Sequence, residues 1–312
     1  MTPKRVVFVA NASQSSGAGH VRRLIELSKG LPHTIERHFL GTIEFSWLKE
    51  IVYDNFFIWD PQMACGSKDL IILDSYEVDF CLTVKSLFPH SKIIQIADRY
   101  TFLLPDTEII FMDLPFTYED KSIASRVLAH GIEFLPIRSF RNQKPCFKQQ
   151  AERVLVTTGG SIVHDITLML AEEFTKDAYR EISFDFIGHL ETSTKYSPNL
   201  QFHDFGDSFD FIAGACDTAI SAAGTTMWDL FANHILVGLG AVVENQCANL
   251  DYALFSNQAL GVLSPMTMQL NFEALQLLFF DNKARGSLYE EISNKYDFLG
   301  AQRTSEVILS AL

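Results

Sequence analysis

The pieces of sequence that decide the fold are VVFVAN, residues 6–11, and GAGHVRR, residues 17–23. The first is a β-branched run typical of a buried strand, and the second opens a helix with apolar residues at helical spacing. Glycines before that helix let a ligand approach the backbone, and the N–H groups and dipole of a helix start favour an anion. His20 adds a side chain that exchanges a proton near neutral pH. The alternative is a strand–helix turn with a surface histidine.

Short apolar strands alternate with helix-like segments along the whole chain, which is typical of a parallel sheet covered by helices on both faces. A polar, basic stretch at residues 138–151 interrupts the pattern and resembles a linker. We therefore predict an α/β protein with two Rossmann-like domains, residues 1–145 and 146–312. The predicted strands are 6–10, 35–40, 69–74, 92–96 and 108–112, then 154–158, 183–187, 201–203, 218–221 and 235–239.

Polar side chains follow several of these predicted strands. Ligands of doubly wound parallel sheets bind at the carboxyl ends of the strands. We therefore expect a group of functional side chains at that edge of the first sheet. The residues in question are His20, Asp74, Tyr76, Asp98 and Asp113.

The composition narrows the class of protein. The 312 residues carry a formal net charge of −13, which argues against a general nucleic-acid binder. The five cysteines are scattered and the histidines show no metal-ligand spacing, so we expect reduced thiols and neither a metal nor a cofactor. A strand begins almost at the N-terminus, and the longest uncharged apolar run is too short for a bilayer. These features predict a cytoplasmic protein without a membrane span.

Two loops of the second half have the composition of phosphate-binding turns. Residues 159–161 have the sequence GGS and directly follow a predicted strand. The alternative to a phosphate loop is a tight turn before a helix, which would have the same composition. Residues 221–226 read SAAGTT between a strand and a helix, and the exposed N–H groups of such a helix start suit a diphosphate. Asp229 follows one turn later and could accept hydrogen bonds from ribose hydroxyls, or could be a solvated acid near the helix start.

Three polar side chains stand together in the sequence ENQ, residues 244–246, after an apolar strand. Their amide groups could bind sugar hydroxyls or N-acetyl groups, whereas Asn245 could instead cap a helix. No P-loop sequence and no nucleophile-elbow sequence is present, which argues against NTP hydrolysis of the P-loop type.

Taken in order, six motifs resemble those of the UDP-sugar hydrolase of pseudaminic acid biosynthesis. That family acts on a UDP-linked diacetamido-trideoxy-altrose and is similar to the lipid-linked N-acetylglucosamine transferase of peptidoglycan synthesis. The resemblance extends from about Val6 to Val262 and implies the GT-B architecture, with two domains facing across a cleft. The motifs are GAGHVRRLIELS (17–28), LDSY (73–76), IADR (96–99), VLVTTGGS (154–161), AISAAGTTMWDLF (219–231) and ENQ (244–246).

The resemblance implies a role for each matched residue. His20 would be the acid/base beside the sugar, and Tyr76 and Asp98 would complete the catalytic set. The diphosphate and nucleotide would be held by Gly159, Gly160, Ser161, Ser221, Ala222, Gly224, Thr225, Thr226 and Asp229. The sugar would be held by Gly17, Gly19, Arg23, Glu244, Asn245 and Gln246. The chain departs from the family at Ala97, where the family has a second Asp, and at Asp229, where it has Glu.

These observations lead to three hypotheses about function. The first is hydrolysis of a UDP-activated acetamido sugar, with His20 activating water. The second is glycosyl transfer from a UDP-sugar to a hydroxyl acceptor, with soluble acceptors favoured over lipid. The third is a non-catalytic protein that binds a nucleotide sugar.

Overall fold

The computed structural model describes residues 5–14, 16–60, 69–98, 101–112, 121–141, 146–158, 164–188, 197–204, 206, 208–264 and 269–311. The chain divides into two compact units, which are described separately below. Unit 1 comprises Met1–Ile137 and Asp297–Leu312, and unit 2 comprises Arg138–Tyr296.

Unit 1 contains a seven-stranded sheet in which every pairing is parallel. Its strands are β1 (Arg5–Val9), β2 (Glu36–Leu40), β3 (Phe57–Ile58), β4 (Leu70–Leu73), β5 (Lys92–Ala97), β6 (Glu108–Phe111) and β7 (Val127–His130). Its helices are α1 (Gly19–Lys29), α2 (Ser46–Asn55), α3 (Val78–Leu87), α4 (Lys121–Ala124) and, from the end of the chain, α11 (Gly300–Ser310).

The strand order of unit 1 is β3-β2-β1-β4-β5-β6-β7, so the order reverses between β1 and β4. Strand β1 is central, and Val6 through Val9 are completely buried. Such a continuous apolar run is what a parallel strand needs when both faces of its sheet are covered. In an open α/β sheet, the crevice for a ligand lies at the carboxyl ends of the strands where the order reverses. That position is taken by the loop after β1 and the residues after β4.

Unit 2 repeats this architecture with six parallel strands in the order β10-β9-β8-β11-β12-β13. The reversal lies between β8 and β11. The strands are β8 (Arg153–Thr157), β9 (Ser183–Ile187), β10 (Leu200–His203), β11 (Thr218–Ala222), β12 (Leu236–Gly240) and β13 (Ala259–Gly261). The helices are α5 (His164–Phe174), α6 (Ser208–Ala215), α7 (Thr225–Ala232), α8 (Cys247–Phe255), α9 (Phe272–Phe280) and α10 (Asn282–Ser293).

Aromatic side chains fasten the helices of unit 2 to its sheet. Phe174 of α5 stacks on Phe184 of β9 with 4.2 Å between ring centroids, and Phe279 of α9 packs edge-on against both rings. All three side chains are buried. Phe186 of the same strand is also completely buried, so both phenylalanines of β9 belong to the core.

The division between the units differs from the predicted boundary at residues 145/146. The chain enters unit 2 already at Arg138, and the final helix α11 belongs to unit 1. Helix α11 packs backbone against backbone there, because a Cβ at Gly300 would lie 1.9 Å from the Leu135 carbonyl oxygen. A Cβ at Gly30, where α1 ends, would lie 2.3 Å from the Ala301 carbonyl oxygen. Composition along the chain does not indicate such a return of the last helix.

Candidate functional site

The loop after β1 places His20 at the reversal point of the unit 1 sheet. Gly17 has φ +73°, a left-handed conformation that favours glycine, and its N–H donates to the Ser13 carbonyl at 2.8 Å. Gly17 is buried, whereas Gly19 is half-buried and begins helix α1. The first glycine therefore shapes the turn that presents His20. Contact of either glycine with a sugar stays a prediction.

His20 and Arg23 both bind the carboxylate of Asp74, which follows β4. His20 Nδ1 lies 2.6 Å from Asp74 Oδ1, and Arg23 donates from Nε to Oδ2 at 2.7 Å and from Nη2 to Oδ1 at 2.6 Å. All three side chains are buried, with Asp74 only 1% exposed. Arg23 and His20 come one helical turn apart on α1, so both reach the same acceptor.

Asp74 is ionised in this environment. Burial by itself raises the pKa of the carboxyl group, but the charge and hydrogen bonds of Arg23 and His20 outweigh it and lower the pKa to about 2. Burial likewise disfavours the charge on Arg23, and the attraction of Asp74 more than offsets it, leaving the Arg23 pKa above its ordinary value. Because an ionised carboxylate only accepts, His20 donates Nδ1–H to Asp74. Neutral His20 therefore accepts a proton at Nε2.

Tyr76 and Asp98 join the same group of side chains. The Tyr76 hydroxyl donates to Asp98 Oδ2, and the Tyr76 ring lies edge-on to the imidazole of His20 with 4.5 Å between centroids. Burial and the charge of Asp98 raise the pKa of Tyr76 well above its ordinary value. Tyr76 is therefore a neutral hydrogen-bond donor at physiological pH. The structure thus brings together the three residues predicted as catalytic.

Arg23 and Asp74 make contacts that the sequence does not indicate. Arg23, predicted to contact a sugar, holds Asp74 from within the core, so a sugar contact by Arg23 stays a prediction. Asp74 lies at the predicted edge of the sheet, and its contact with His20 is an observation of the structure alone. The signal that could have identified it is its position after β4 combined with two basic residues one turn apart on α1.

In unit 2, the SAAGTT stretch forms the end of β11 and the start of α7. Ser221 and Ala222 are buried, and the Ser221 hydroxyl donates to the Ala222 carbonyl at 3.0 Å. Gly224, Thr225 and Thr226 are accessible, and Thr225 begins the helix. The N–H groups of the first helical turn have no acceptor within the helix. The accessible part of the predicted diphosphate site is therefore the turn at 224–226.

Asp229 of α7 binds Arg138, which lies in the stretch predicted to be a linker. Its carboxylate accepts from the Arg138 backbone N–H at 2.9 Å and from Arg138 Nε at 2.8 Å. Asn233 accepts from the Phe140 N–H and donates to the Arg138 carbonyl, so residues 138–140 are fastened along α7. The pair is separated by 91 positions, and nothing in the local sequence indicates it. The structure gives Asp229 this anchoring contact, and ribose binding by Asp229 stays a prediction.

The ENQ residues form a single 3₁₀ turn after β12 and approach the SAAGTT turn. The Val242 N–H donates to Gln246 Oε1 at 2.9 Å, and Asn249 Nδ2 donates to the Ala223 carbonyl at 3.1 Å. Glu244 is exposed. A Cβ built on Gly224 would lie 3.6 Å from Gln246 Nε2. Two segments that were predicted separately therefore meet.

Some predicted features lie outside the described residues, namely Asp113, Gly159, Gly160 and Ser161. Within the described ranges, no group of three or more His, Cys, Asp or Glu side chains is arranged to hold a metal ion. None of the helices in those ranges has both the length and the apolar character needed to cross a membrane.

Comparison with known proteins gives similarity at the level of structure. No protein-family model and no curated protein matches the sequence. The chain is similar to the glycotransferase of kitacinnamycin, with a TM-score of 0.65, 11% identity and 100% coverage of both chains. It is also similar to Acinetobacter baumannii MurG, with a TM-score of 0.57, 11% identity and 99% and 100% coverage of this chain and that one. It is similar as well to a UDP-GlcNAc 2-epimerase from Neisseria meningitidis, solved with UDP-GlcNAc bound. That comparison has a TM-score of 0.55, 13% identity and coverage of 98% of each chain.

These likenesses cover whole chains, and they confirm the predicted fold class: the protein has the two-domain α/β GT-B fold. At identities of 11–13% they establish fold, and the chemistry has to be argued from the residues of this chain.

Proposed function

We propose that this protein uses a UDP-sugar and releases UDP by attack of an oxygen nucleophile that His20 deprotonates. The observation that carries the proposal is the contact of His20 Nδ1 with buried, ionised Asp74, which leaves Nε2 as the proton acceptor. A histidine held in this way is suited to general base catalysis. The solved structure bound to UDP-GlcNAc and the glycosyltransferases of the same fold support a nucleotide sugar as the substrate class.

In the proposed reaction, the nucleophile oxygen bonds to the anomeric carbon as its proton passes to His20 Nε2. The bond between the anomeric carbon and the diphosphate oxygen breaks, and UDP leaves with the electron pair. Within unit 2, the N–H groups at the start of α7 are suited to bind the diphosphate. Tyr76 donates a hydrogen bond beside the imidazole, and His20 later loses its proton to solvent.

Water is the nucleophile that the sequence resemblance implies, which makes the protein a hydrolase of a UDP-activated acetamido sugar. The second candidate is a glycosyltransferase, in which an acceptor hydroxyl replaces water. It is favoured by the glycotransferase of kitacinnamycin, which has this fold over its whole length. The proposal that the sugar is the one used in pseudaminic acid biosynthesis is supported by the sequence motifs alone.

The deciding experiment measures UDP release from a panel of UDP-sugars in buffer, with and without added saccharide acceptors. Equal amounts of UDP and free sugar without acceptor indicate hydrolysis, whereas release that requires an acceptor indicates transfer. H20A should lower either activity by about 100- to 10,000-fold. UDP binding without turnover of any UDP-sugar would leave the non-catalytic alternative, and near-normal turnover by H20A would refute the role of His20.

A further inference from the structure

Gln246 and Asn245 are adjacent amides that present opposite kinds of atom. The Val242 N–H is a donor, so the Gln246 atom that it contacts at 2.9 Å has to be the carbonyl oxygen, Oε1. This contact fixes the amide orientation and leaves Nε2, which carries two N–H donors, on the other side. Gln246 therefore offers donors to whatever lies beyond it.

The Nε2 atom of Gln246 lies over the turn that starts α7. A Cβ built on Gly224 would lie 3.6 Å from this atom. Among the described residues, no other atom comes within 4 Å of that Cβ, apart from the neighbouring residues and the helix backbone. Gly224 has φ −93°, which any residue adopts, so the backbone does not require glycine there. What the glycine provides is open space between the first N–H groups of α7 and the Gln246 amide.

Asn245 presents an acceptor instead. Its Oδ1 atom is buried and, within the described part of the chain, has no hydrogen-bond partner. A buried acceptor without a partner is costly, and a hydroxyl or amide N–H of a ligand would satisfy it. The diphosphate of a UDP-sugar is a diester that carries no proton at neutral pH, so its oxygens cannot donate to Asn245 Oδ1.

We propose that the pair is divided by chemistry: Gln246 Nε2 donates to the diphosphate together with the α7 N–H groups, and Asn245 Oδ1 accepts from the sugar. This proposal rests on the proposed function and changes one assignment within it, because the sequence resemblance puts both residues on the sugar side. On this proposal, Gln246 contributes to the binding of UDP even when no sugar is attached.

The test compares two variants that each add one negative charge at adjacent positions, Q246E and N245D. Glutamate keeps the oxygen that accepts from Val242 and replaces the Nε2 donor with a second oxygen. Calorimetry with UDP should show affinity reduced about tenfold or more for Q246E, because a charge-assisted hydrogen bond is lost and a repulsion is gained. N245D removes no donor to the diphosphate, so we expect it to lower UDP affinity clearly less than Q246E does.

Q201E, which places the same charge at an exposed position on β10, serves as the control for net charge, and thermal melting confirms that each variant is folded. UDP affinity that is equal in wild type and Q246E would overturn the proposal while leaving the function intact. A larger loss in N245D than in Q246E would overturn it as well. If the wild-type protein does not bind UDP, the proposed function fails and this inference fails with it.

Discussion

Each unit of the protein contains an Arg–Asp–His triad, and the two triads have nearly the same geometry. In the unit 1 triad, Arg23 donates to both oxygens of Asp74 at 2.7 and 2.6 Å, and His20 lies 2.6 Å away. In the unit 2 triad, Arg153 donates to both oxygens of Asp185 at 2.6 and 3.1 Å, and His203 lies 2.8 Å away. In each case the carboxylate is buried and its pKa is lowered by the two partners against the effect of burial.

The triads differ in exposure and in the nitrogen that is bound. The side chains of Arg23 and His20 are 7% and 8% exposed, whereas those of Arg153 and His203 are 37% and 26% exposed. His20 uses Nδ1 to bind its aspartate, and His203 uses Nε2.

They also differ in their place in the sheet. Arg153 is the first residue of β8, at the end opposite the ligand crevice, and Asp185 is the middle residue of β9. The unit 1 triad lies where β1 and β4 end, at the reversal of its sheet, and Tyr76 contacts its histidine. The same three residue types therefore fasten strands together in unit 2 and prepare a proton acceptor in unit 1. Position in the fold, not the triad itself, is what indicates chemistry.

The largest expected difference between the triads is in turnover. D74N keeps the size of the side chain but replaces the carboxylate, which only accepts, with an amide that can also donate. The proton of neutral His20 can then lie on either ring nitrogen, so Nε2 is no longer always the proton acceptor. We expect kcat for UDP release, corrected for the folded fraction, to fall about 100- to 10,000-fold with KM changed by less than about threefold.

The matched variant in unit 2 is D185N, which should leave kcat within about twofold of wild type. Equal losses of turnover in the two variants would show that both act through the stability of the fold. That result would remove the distinction between the triads.

The next difference concerns stability in acid. The folded-state pKa of Asp74 is about 2, below its ordinary value of 3.8, so its contribution to stability is complete above that ordinary value. It is lost as the pH falls toward 2, because the unfolded chain takes up the proton first. We expect this one group to account for roughly 2 kcal/mol of the unfolding free energy lost between pH 5 and pH 2.

Urea unfolding of wild type and D74N at several pH values in that range tests this expectation. The stability of D74N should depend less on pH than that of wild type, and D185N should show a change of the same sign but smaller size. The smaller size follows because solvent weakens the interaction of the half-exposed Arg153 with Asp185. A D74N curve that runs parallel to the wild-type curve would contradict the low pKa of Asp74.

Much of the fold could be predicted from the sequence because its sheets are built from continuous apolar runs. The runs at β1, β4, β8 and β11 are visible as such, and their alternation with helices implies parallel pairing. The two-residue strand β3 is too short to produce a pattern. The return of α11 to unit 1 depends on packing between distant glycine-containing backbones, which composition does not reveal.

The candidate site was predictable to the extent that strand ends define it. Tyr76 and Asp98 follow neighbouring strands, so the parallel sheet brings them together with His20. The contacts that fix side-chain roles were not predictable, because they join positions far apart in the chain. Asp74 binds His20, which lies 54 positions away in the sequence. Asp229 binds Arg138, which lies 91 positions away. Sequence spacing identifies which residue types meet, and only the structure shows which atoms are already bonded.

The smallest expected difference concerns the residue beside each triad. Y76F keeps the ring that packs against His20 and removes only the hydroxyl that donates to Asp98, so kcat/KM for UDP release should fall about tenfold. Its counterpart is C216A, since Cys216 Sγ lies 4.0 Å from Asp185 and burial raises its pKa to about 12, which keeps the thiol uncharged. C216A should change kcat/KM by less than about twofold. Unchanged kcat/KM in Y76F would remove Tyr76 from the site, whereas a loss above about 1,000-fold would mean that Tyr76, rather than His20, transfers the proton.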